Sequence, residues 1–448
     1  MEYKPLVLSG NNWMEICLKD YWEFINTVVF EAGIRLLLER HRRRPNFPFP
    51  DTKFNPNTGI DLPKSSYSVL YPWFFGRGAE ACAAHLAILE TLSGLRDVRR
   101  EAQELLNSFI KASTDAILKT IDRNKGRCPF RVNTNFQAID HSGKAIQVDP
   151  SVRSPADLFC AKGLLVSKES DKVAVGKRMF WEFVEIALDS GYRSEYIDES
   201  TELLSHVPYM LALGAIRYLV TLESDRDLYD YAKLVATIIT TVLKRHYDAE
   251  THVFSEYVLK TTHQRLSYLN PGHAIEFAGL GLQAIEAIEE ATSSLSSDIS
   301  ATFEEAKFTL PKILINSFQF GYNALHHGIF QAVDTRTKEI LDENMPWWNL
   351  PETLRAATRA AVVIDDAVLK RRLLDIIAKC HNDYFTYYIN PQLMYFPFRT
   401  RNGKTGCVVD VMPAVPEADP LYHSNLSFID MQDVCLKVLC PKEVNNHR

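Results

Sequence analysis

A histidine at a helix start, followed three positions later by a glutamate, is the clearest chemical motif in this sequence. The segment Asn270–Glu276 reads NPGHAIE, and Asn-Pro-Gly is a turn and helix-start signal. Residues three apart share a helix face, so the Glu276 carboxylate can orient the His273 imidazole and raise its pKa. The spacing predicts a general base. A surface histidine–glutamate pair and a His-x-x-Glu metal site are the alternatives.

A pair of tryptophans directly before a predicted helix is the second motif. The segment Pro346–Glu352 reads PWWNLPE and contains Trp347 and Trp348. Indole faces stack on the apolar faces of sugar rings, and a carboxylate can hold sugar hydroxyl groups. Trp348 and Glu352 are four apart, on one side of the helix. The alternative is that both tryptophans belong to the core.

Two more positions are candidates for a site. Arg77 follows the aromatic run Tyr71–Phe75; a cation in such surroundings needs an anionic or hydroxyl partner, which predicts that it points into a pocket. The alternative is an ion pair with Glu80. His423, in the segment LYHSN, carries little weight alone. The adjacent pair His326-His327 is interpreted as structural, because neighbouring side chains rarely point the same way.

Composition excludes several classes of protein. The chain has 448 residues and a formal net charge of -6, which argues against a general phosphate-backbone binder of nucleic acid. No stretch of about 18 apolar residues predicts a membrane span, and the first residues lack the pattern of a signal peptide. The eight cysteines form no Cys-x-x-Cys pair and are expected to be reduced. The expected location is cytoplasmic.

Apolar residues at three- and four-residue spacing recur along the whole chain and predict about a dozen helices, mostly in pairs. Short β-like stretches between the pairs are expected to be loop hairpins, and no βαβ alternation is present. We therefore expect one all-α domain over residues 1–448, a toroid of paired helices, although an open helical solenoid fits the same pattern. The predicted helices are 20–40, 79–92, 98–121, 154–165, 171–190, 207–222, 228–245, 272–289, 299–321, 350–364 and 367–388, and the β-like stretches are 143–148, 254–258, 328–332 and 394–398.

Five ordered segments together resemble the N-acylglucosamine 2-epimerase superfamily over most of the chain. They are Trp73–Arg77, Val207–Leu211, Asn270–Glu276, the Trp-Trp-x-x-x-Glu of Trp347–Glu352, and Tyr422–His423. The resemblance implies an (α/α)6 barrel with short loop β-hairpins and a site at the centre of one end. It also implies a small-molecule sugar substrate, no metal, no cofactor and a homodimer.

The same resemblance implies a role for each matched residue. His273 and His423 correspond to the two proton-transfer residues, with Glu276 as the partner of His273. Arg77 corresponds to the residue that holds substrate oxygens at the reacting end. One imidazole would remove the C2 proton of an open-chain sugar, and the other would return a proton on the opposite face. The residues that the resemblance implies for substrate binding are Asn270, Trp347, Trp348 and Glu352.

Several departures from the family pattern bear on the substrate. Leu350 replaces a polar residue, Gly78 and Ala79 replace bulky ones, and the approach to His423 is Pro416–Pro420. Branches that act on free mannose or on disaccharides carry a histidine in the helix that here runs from Val207, and residues 207–213 contain none. The first expectation is N-acetylglucosamine and N-acetylmannosamine as substrates.

Four other functions remain open at this point. An aldose–ketose isomerase would return the proton to C1. A glycoside hydrolase would need two carboxylates, for which Glu276, Glu352 and Asp157 are available. A metal-dependent isomerase would use His273, Glu276 and His423 as ligands. The fourth alternative is a binding protein without catalysis.

Overall fold

The computed structural model describes most of the chain, in nine segments. The described residues are 5–8, 12–19, 21–188, 202–222, 225–292, 294–393, 396–398, 400–411 and 421–440. The segment Pro416–Pro420, which the sequence singled out, lies outside them. Within this part of the chain the α-helices are α1 Trp13–Lys19, α2 Trp22–Ile25, α3 Ala32–Arg43, α4 Pro72–Ile88, α5 Arg99–Arg123, α6 Pro155–Leu165, α7 Ser170–Leu188, α8 Val207–Val220, α9 Asp225–His246, α10 Pro271–Ala291, α11 Ser297–Gly321, α12 Asn349–Val363, α13 Ala367–Asp383 and α14 Ser427–Leu439.

The helices form two concentric rings. Alternate helices pack side by side in an inner ring, α4 on α6, α6 on α8, α8 on α10, α10 on α12 and α12 on α14, and the residues just before α14 close the ring on α4. Each inner helix is backed by a sequence neighbour, among them α5, α7, α9, α11 and α13. The expected (α/α)6 barrel is therefore confirmed, and the open solenoid is wrong.

The inner helices are apolar on nearly every side, because they pack on both neighbours and on the outer ring. Small residues let them approach closely. A Cβ on Gly76 of α4 would meet the carbonyl of Phe159 on α6, and one on Gly279 of α10 would meet Ala356 on α12. The helix α4 begins at Pro72 rather than at Ala79 as the sequence suggested, which places Arg77 inside a helix.

Short antiparallel strands connect the helices, as expected for loop hairpins. The strands are β1 Val69–Leu70, β2 Val132–Asn133, β3 Leu203–Ser205, β4 Tyr247–Asp248, β5 Val253–Phe254, β6 Tyr257–Leu259, β7 Tyr268–Leu269, β8 Tyr322–Asn323, β9 Gly328–Ile329, β10 Ala332–Asp334, β11 Ile340–Asp342, β12 Asn344–Pro346, β13 Ile389–Asn390, β14 Phe396–Pro397, β15 Thr400–Asn402 and β16 Val408–Val409. They pair as β1–β2, β3–β6, β4–β5, β8–β9 and β13–β14, with three-stranded β11–β10–β7 and β12–β15–β16. The predicted strand at 143–148 is wrong, since the chain there forms only an isolated bridge between Ile139 and Ala145.

Tight and wide helical turns complete the fold. The 3₁₀ turns are Lys64–Ser68, Leu89–Thr91, Ser93–Leu95 and Pro391–Leu393, and π-helical turns occupy Asn26–Glu31, Tyr384–Tyr388 and Tyr422–Leu426. π-Helical turns inside α-helices are frequent at functional sites. The last of them carries His423 and follows Leu421, whose φ of 64° is in the left-handed region. This backbone turn directs the chain from the loop into the barrel.

Two features bear on the composition-based expectations. All eight cysteines are free, and six of them are buried, as expected for reduced core residues. Among the described residues, every helix is too short or too polar to cross a bilayer.

Candidate active site

A cavity of about 300 Å³ lies within the inner ring and is lined by side chains from all six inner positions of the barrel. Seven of the eight site residues expected from the sequence line it, together with an apolar wall from α8. The lining residues are Trp73, Arg77, Phe130, Pro155, Ala156, Phe159, Lys162, Val207, Met210, Leu211, Gly214, His273, Glu276, Leu280, Gln331, Trp347, Trp348, Glu352, Arg355, Tyr422 and His423.

His273 enters the cavity from the first turn of α10. The side chain of Asn270 caps this helix by accepting the His273 backbone N–H at 3.2 Å, which satisfies a free helix-end donor. The imidazole Nδ1–H donates to Oε1 of Glu256 at 3.1 Å. A proton held on Nδ1 leaves the lone pair on Nε2, so the neutral ring is prepared to accept a proton there.

Glu256 is therefore the hydrogen-bonding partner of His273, and the expectation that Glu276 has this role is wrong. Glu256 lies between β5 and β6 and is 2% exposed. Burial alone would raise the pKa of His273's partner carboxyl, but the nearby His273 and His206 imidazoles outweigh it and hold that pKa well below its ordinary value. Conversely, burial would lower the pKa of His273, but the Glu256 charge outweighs this effect and raises it.

His423 enters the cavity from the π-helical turn Tyr422–Leu426. Its Nδ1–H donates to Oε1 of Glu352 at 2.7 Å, and its ring stacks on Trp348 at a centroid distance of 6.0 Å. The other oxygen of Glu352 lies 2.6 Å from the Arg355 guanidinium. Glu352 is 2% exposed. It holds His423 in place, and both of its oxygens are occupied by this role.

Glu276 lies between these two imidazole–carboxylate pairs. Its carboxylate, the nearest oxygen of Glu352 and a ring nitrogen of His423 all lie within 4.8 Å of one another. Burial and the Glu352 charge raise the pKa of Glu276. These three groups have the donor types of a metal site, but a metal there would displace the Glu352–His423 hydrogen bond. The set differs from the His273, Glu276 and His423 ligands expected for a metal-dependent isomerase.

Arg77 and aromatic rings form the opposite wall. The Arg77 guanidinium lies 4.2 Å from the ring centroid of Phe159, 4.7 Å from that of Trp73 and 4.8 Å from that of Tyr422. Glu80, its alternative partner, instead lies 2.8 Å from the Lys162 ammonium. The rings hold the guanidinium at the cavity wall by cation–π contact, whereas the sequence predicted an anionic or hydroxyl partner.

Several singled-out residues have structural roles instead. Asn270 is buried as a helix cap and does not line the cavity. Asp157 accepts hydrogen bonds from the backbone N–H groups of Cys128 and Ser154, and burial raises its pKa to about 6. His326 donates to the Lys404 carbonyl, whereas His327 faces Asp383, so that adjacent pair is not a joint site.

Packing accounts for two of the departures noted in the sequence, at Gly78 and at Leu350. A Cβ on Gly78 would lie 2.5 Å from Pro50, so a bulky side chain there would displace the long loop that precedes β1. Leu350 is fully buried in the core and does not line the cavity.

Sequence reasoning missed three charged groups of the site. Glu256 lies on a short hairpin 17 positions before His273, a separation with no periodic signal. Arg355 follows Glu352 by one helical turn and pairs with it. Lys162 is a buried lysine in the segment PADLFCAKGLL, in which Asp157 is the one other charged residue; that composition was a signal that could have found it. Its ammonium donates to the Tyr422 hydroxyl at 2.9 Å.

A buried network of fixed charges extends below the cavity. Arg355 also lies 3.5 Å from Asp430, which pairs with Arg217 at 2.6 Å. Arg217 in turn lies 3.6 Å from Glu80, the partner of Lys162. Burial would raise the pKa of Asp430, but Arg217, Arg359 and Arg355 hold it well below its ordinary value. The network joins α4, α6, α8, α12 and α14 at the base of the site.

Fold and cavity define an (α/α)6-barrel protein with two carboxylate-supported imidazoles in a central pocket. No family model matches the sequence, and no curated protein matches it either. Among solved structures, the chain is similar to a sugar epimerase from a ruminal bacterium (TM-score 0.65, 13% identity, covering 90% of this chain and 98% of that one). A D-mannose isomerase matches with a TM-score of 0.58, 12% identity and coverage of 92% and 97%.

The same barrel also carries hydrolases. An unsaturated glucuronyl hydrolase specific for heparin matches with a TM-score of 0.52 and 10% identity, covering 94% of this chain and 98% of that one. At such low identities these likenesses establish the fold, and the chemistry has to be argued from the side chains in the cavity.

Proposed function

We propose that this protein is a sugar 2-epimerase in which one of His273 and His423 removes the C2 proton of a reducing sugar and the other returns a proton to C2 on the opposite face. The observation that carries the proposal is that both imidazoles line one cavity and each donates its Nδ1–H to a buried carboxylate. This arrangement fixes the tautomer and orients the ring for proton transfer through Nε2. Structural similarity to a sugar epimerase supports the same class of reaction.

The reaction needs an acidified C2 hydrogen and two proton carriers. Once the sugar ring opens, the C1 carbonyl acidifies the hydrogen on C2. One imidazole takes that proton, and the electron pair moves into the C1–C2 bond and onto the carbonyl oxygen, giving an enediolate. Arg77, fixed by its aromatic neighbours, supplies positive charge for that oxygen. The other imidazole donates a proton to C2 from the opposite face, which inverts the centre.

Epimerisation also requires that one imidazole is neutral while the other carries a proton. The raised pKa of His273 favours its protonated form, so His273 is the proton donor for the epimer whose C2 hydrogen faces His423. In the reverse direction His273 is the base. The carboxylates do not leave their partners in either direction.

The first substrate class to test is N-acetylglucosamine and N-acetylmannosamine. The α8 wall of the cavity is apolar, formed by Val207, Met210, Leu211 and Gly214. His206, which precedes this helix, is fully buried and does not line the cavity. The helix α8 contributes no histidine to the cavity. In this it differs from those branches of the resembled superfamily that act on mannose or on disaccharides. Trp348 lines the same cavity, and stacking of its indole face on the sugar ring is the role we propose for it.

The hydrolase alternative has one observation in its favour. Glu276 and Glu352 present carboxylate oxygens within 4.8 Å, close to the spacing of about 5 Å in retaining glycosidases. Glu352, however, is engaged by His423 on one oxygen and by Arg355 on the other. A glycosidase nucleophile must be free to attack the sugar, so the geometry favours the epimerase.

The test is proton exchange in heavy water. Purified protein is incubated with N-acetylmannosamine, N-acetylglucosamine, mannose, glucose and disaccharides, and C2 is followed by NMR. Deuterium at C2 of the epimeric product is the expected result, and a ketose product would change the assignment to isomerase. Absence of exchange with every sugar, together with cleavage of nitrophenyl glycosides, would overturn the proposal in favour of the hydrolase. Activity that is unaffected by a chelator is expected, because no step is assigned to a metal.

A further inference from the structure

Glu256 holds a second imidazole behind the active site. Its Oε1 accepts from His273, and its Oε2 accepts a hydrogen bond from Nε2 of His206 at 3.1 Å. His206 is 0% exposed, so it touches no substrate. Three titratable side chains therefore form a line that runs from the cavity wall into the protein interior.

The backbone places His206 and Glu256 opposite each other. The strands β3 and β6 are antiparallel, with Ser205 paired to Tyr257, so the residues that follow Ser205 and precede Tyr257 come together. The His206 ring then packs edge-on against Phe254 at 4.8 Å and Phe277 at 5.9 Å between ring centroids. These apolar contacts hold the ring. Among the described residues, its hydrogen-bond partner is Oε2 of Glu256.

We propose that His206 is a positioning residue that, through Glu256, sets the proton affinity of His273. The proposal rests on the proposed function only in taking His273 as a proton-transfer group. A carboxylate that accepts two hydrogen bonds distributes its charge between them, so the His206 N–H weakens the interaction of Glu256 with His273. His206 also orients the carboxylate, because it holds the oxygen that His273 does not use.

Two substitutions then change His273 in opposite directions. Removal of the His206 donor concentrates the Glu256 charge on His273, which raises the pKa of His273. Neutralisation of Glu256 removes that charge, which lowers the pKa of His273. A purely structural role for His206 predicts no such opposition, since loosening the site would weaken the Glu256–His273 contact in both cases.

Other ionisable groups around His206 do not change the expected direction of either shift in the pKa of His273. His246 faces His206 at 5.6 Å between ring centroids and donates from Nδ1 to the Ser255 carbonyl. Burial and the neighbouring His206 lower the pKa of His246 to about 3, so it is neutral at working pH. Other ionisable groups interact electrostatically with His246, Glu256 or His273. They are Arg245, Tyr257, Tyr268 and Glu276.

The experiment is an NMR titration of the full chain labelled with ¹³C at histidine Cε1, without any sugar. The His273 signal is assigned by its loss in His273→Gln. His206→Phe keeps the ring contacts without the donor, and His206→Met provides the same measurement if the Phe variant does not fold. His206→Gln keeps an N–H at the position of Nε2 and cannot titrate. The matched control is His263→Gln, an exposed histidine in the loop between β6 and β7.

The expected result is a rise of about half a unit or more in the pKa of His273 in His206→Phe or His206→Met, and a fall of about one unit in Glu256→Gln. His206→Gln and His263→Gln are expected to lie within about 0.2 unit of the wild type. In heavy water, the pH-rate limb that belongs to His273 should move to higher pH in His206→Phe by the same increment.

An unchanged or lowered pKa of His273 in the variants without the donor would overturn this proposal. The titration requires no substrate, so the epimerase proposal and the proposed role of His206 can be refuted independently of each other. Wild-type protein that exchanges no sugar but shows these opposite shifts would refute the epimerase and keep the role of His206. Active protein without the shifts would refute the role of His206 and keep the epimerase.

Discussion

The two halves of the site contain the same unit, an imidazole on a buried carboxylate, but differ in what lies behind the carboxylate. Behind Glu256 is His206, an imidazole that donates a hydrogen bond to Oε2 of the carboxylate. Behind Glu352 is Arg355, a fixed cation that belongs to a network with Asp430. A carboxylate paired with a permanent cation lends less negative charge to its imidazole than one paired with a second imidazole.

This difference matters for the proposed epimerisation, which needs one neutral and one protonated imidazole. A symmetric pair of imidazoles would be protonated together or neutral together at most pH values. Here the Glu256 charge raises the pKa of His273. Five measurements test how far the two halves of the site differ.

Removal of either imidazole should have the largest effect. His273→Gln and His423→Gln are expected to slow epimer formation by about 10³-fold, the contribution of a positioned acid or base. Each variant should still wash deuterium into C2 of one epimer, the one whose hydrogen faces the remaining imidazole. Proton NMR of both epimers checks this. Equal residual exchange with both epimers would contradict a two-base mechanism.

Neutralisation of the two supporting carboxylates should lower the free energy of unfolding by different amounts in the two halves of the site. Glu352→Gln removes the closer ion-pair partner of the buried Arg355 and leaves Asp430 at 3.5 Å; it is expected to cost about 3 kcal/mol in the free energy of unfolding. Glu256→Gln should cost about 1–2 kcal/mol, because its two imidazole partners can become neutral. Urea unfolding at neutral pH compares the variants. A larger cost for Glu256→Gln would reverse the comparison.

The two costs should also depend differently on pH. Because the pKa of Glu256 is depressed in the folded protein, its carboxylate stabilises the fold at pH values above about 4.5, the ordinary pKa of a glutamate. This stabilisation is lost as the pH falls towards the folded pKa. The raised pKa of His273 contributes stability below about 6.5, lost as pH rises through its folded value. The cost of Glu256→Gln should therefore be greatest between these limits.

The cost of Glu352→Gln should instead stay level on the alkaline side. Arg355 keeps its charge there, because burial, which would lower its pKa, is outweighed by Glu352, Asp430 and Glu276. Unfolding curves from about pH 5 to pH 9 test this difference. Parallel profiles for the two variants would show that the partner behind each carboxylate has no influence.

Glu276→Gln should change His273 less than Glu256→Gln does. Glu276 acts on His273 through space, whereas Glu256 also bonds to it. We expect a fall in the pKa of His273 of about half that caused by Glu256→Gln, measured by the same histidine NMR titration. An equal or larger fall would restore Glu276 as the main partner of His273.

The smallest effect is expected at the tryptophan beside His423. Trp348→Phe keeps an aromatic face but reduces its area, so KM should rise about three- to tenfold with a smaller change in kcat. Steady-state kinetics on the active sugar measures both. A fall in kcat with KM unchanged would show that Trp348 orients His423 rather than binding the sugar.

The sequence was informative where function is encoded in contiguous residues. Helix periodicity predicted most helices within a few positions, and ordered motifs placed seven of the eight site residues on the cavity. It was less informative for α4, where the aromatic run before Arg77 hid a helix that begins at Pro72. Apolar residues on every side give no helical stripe, so the start of an inner helix has little periodic signal.

By itself, the sequence determined the paired-helix architecture, the two histidines and the arginine, because these depend on residue type, local spacing and order along the chain. The partners of the histidines were decided by tertiary structure alone. Glu276 is three positions from His273 in sequence, yet Glu256 reaches the Nδ1 through a hairpin that β3 pairs with β6. Glu352 and His423, 71 positions apart, meet because the barrel closes. Contacts between distant segments follow from how helices and hairpins pack around one core, which local spacing does not specify.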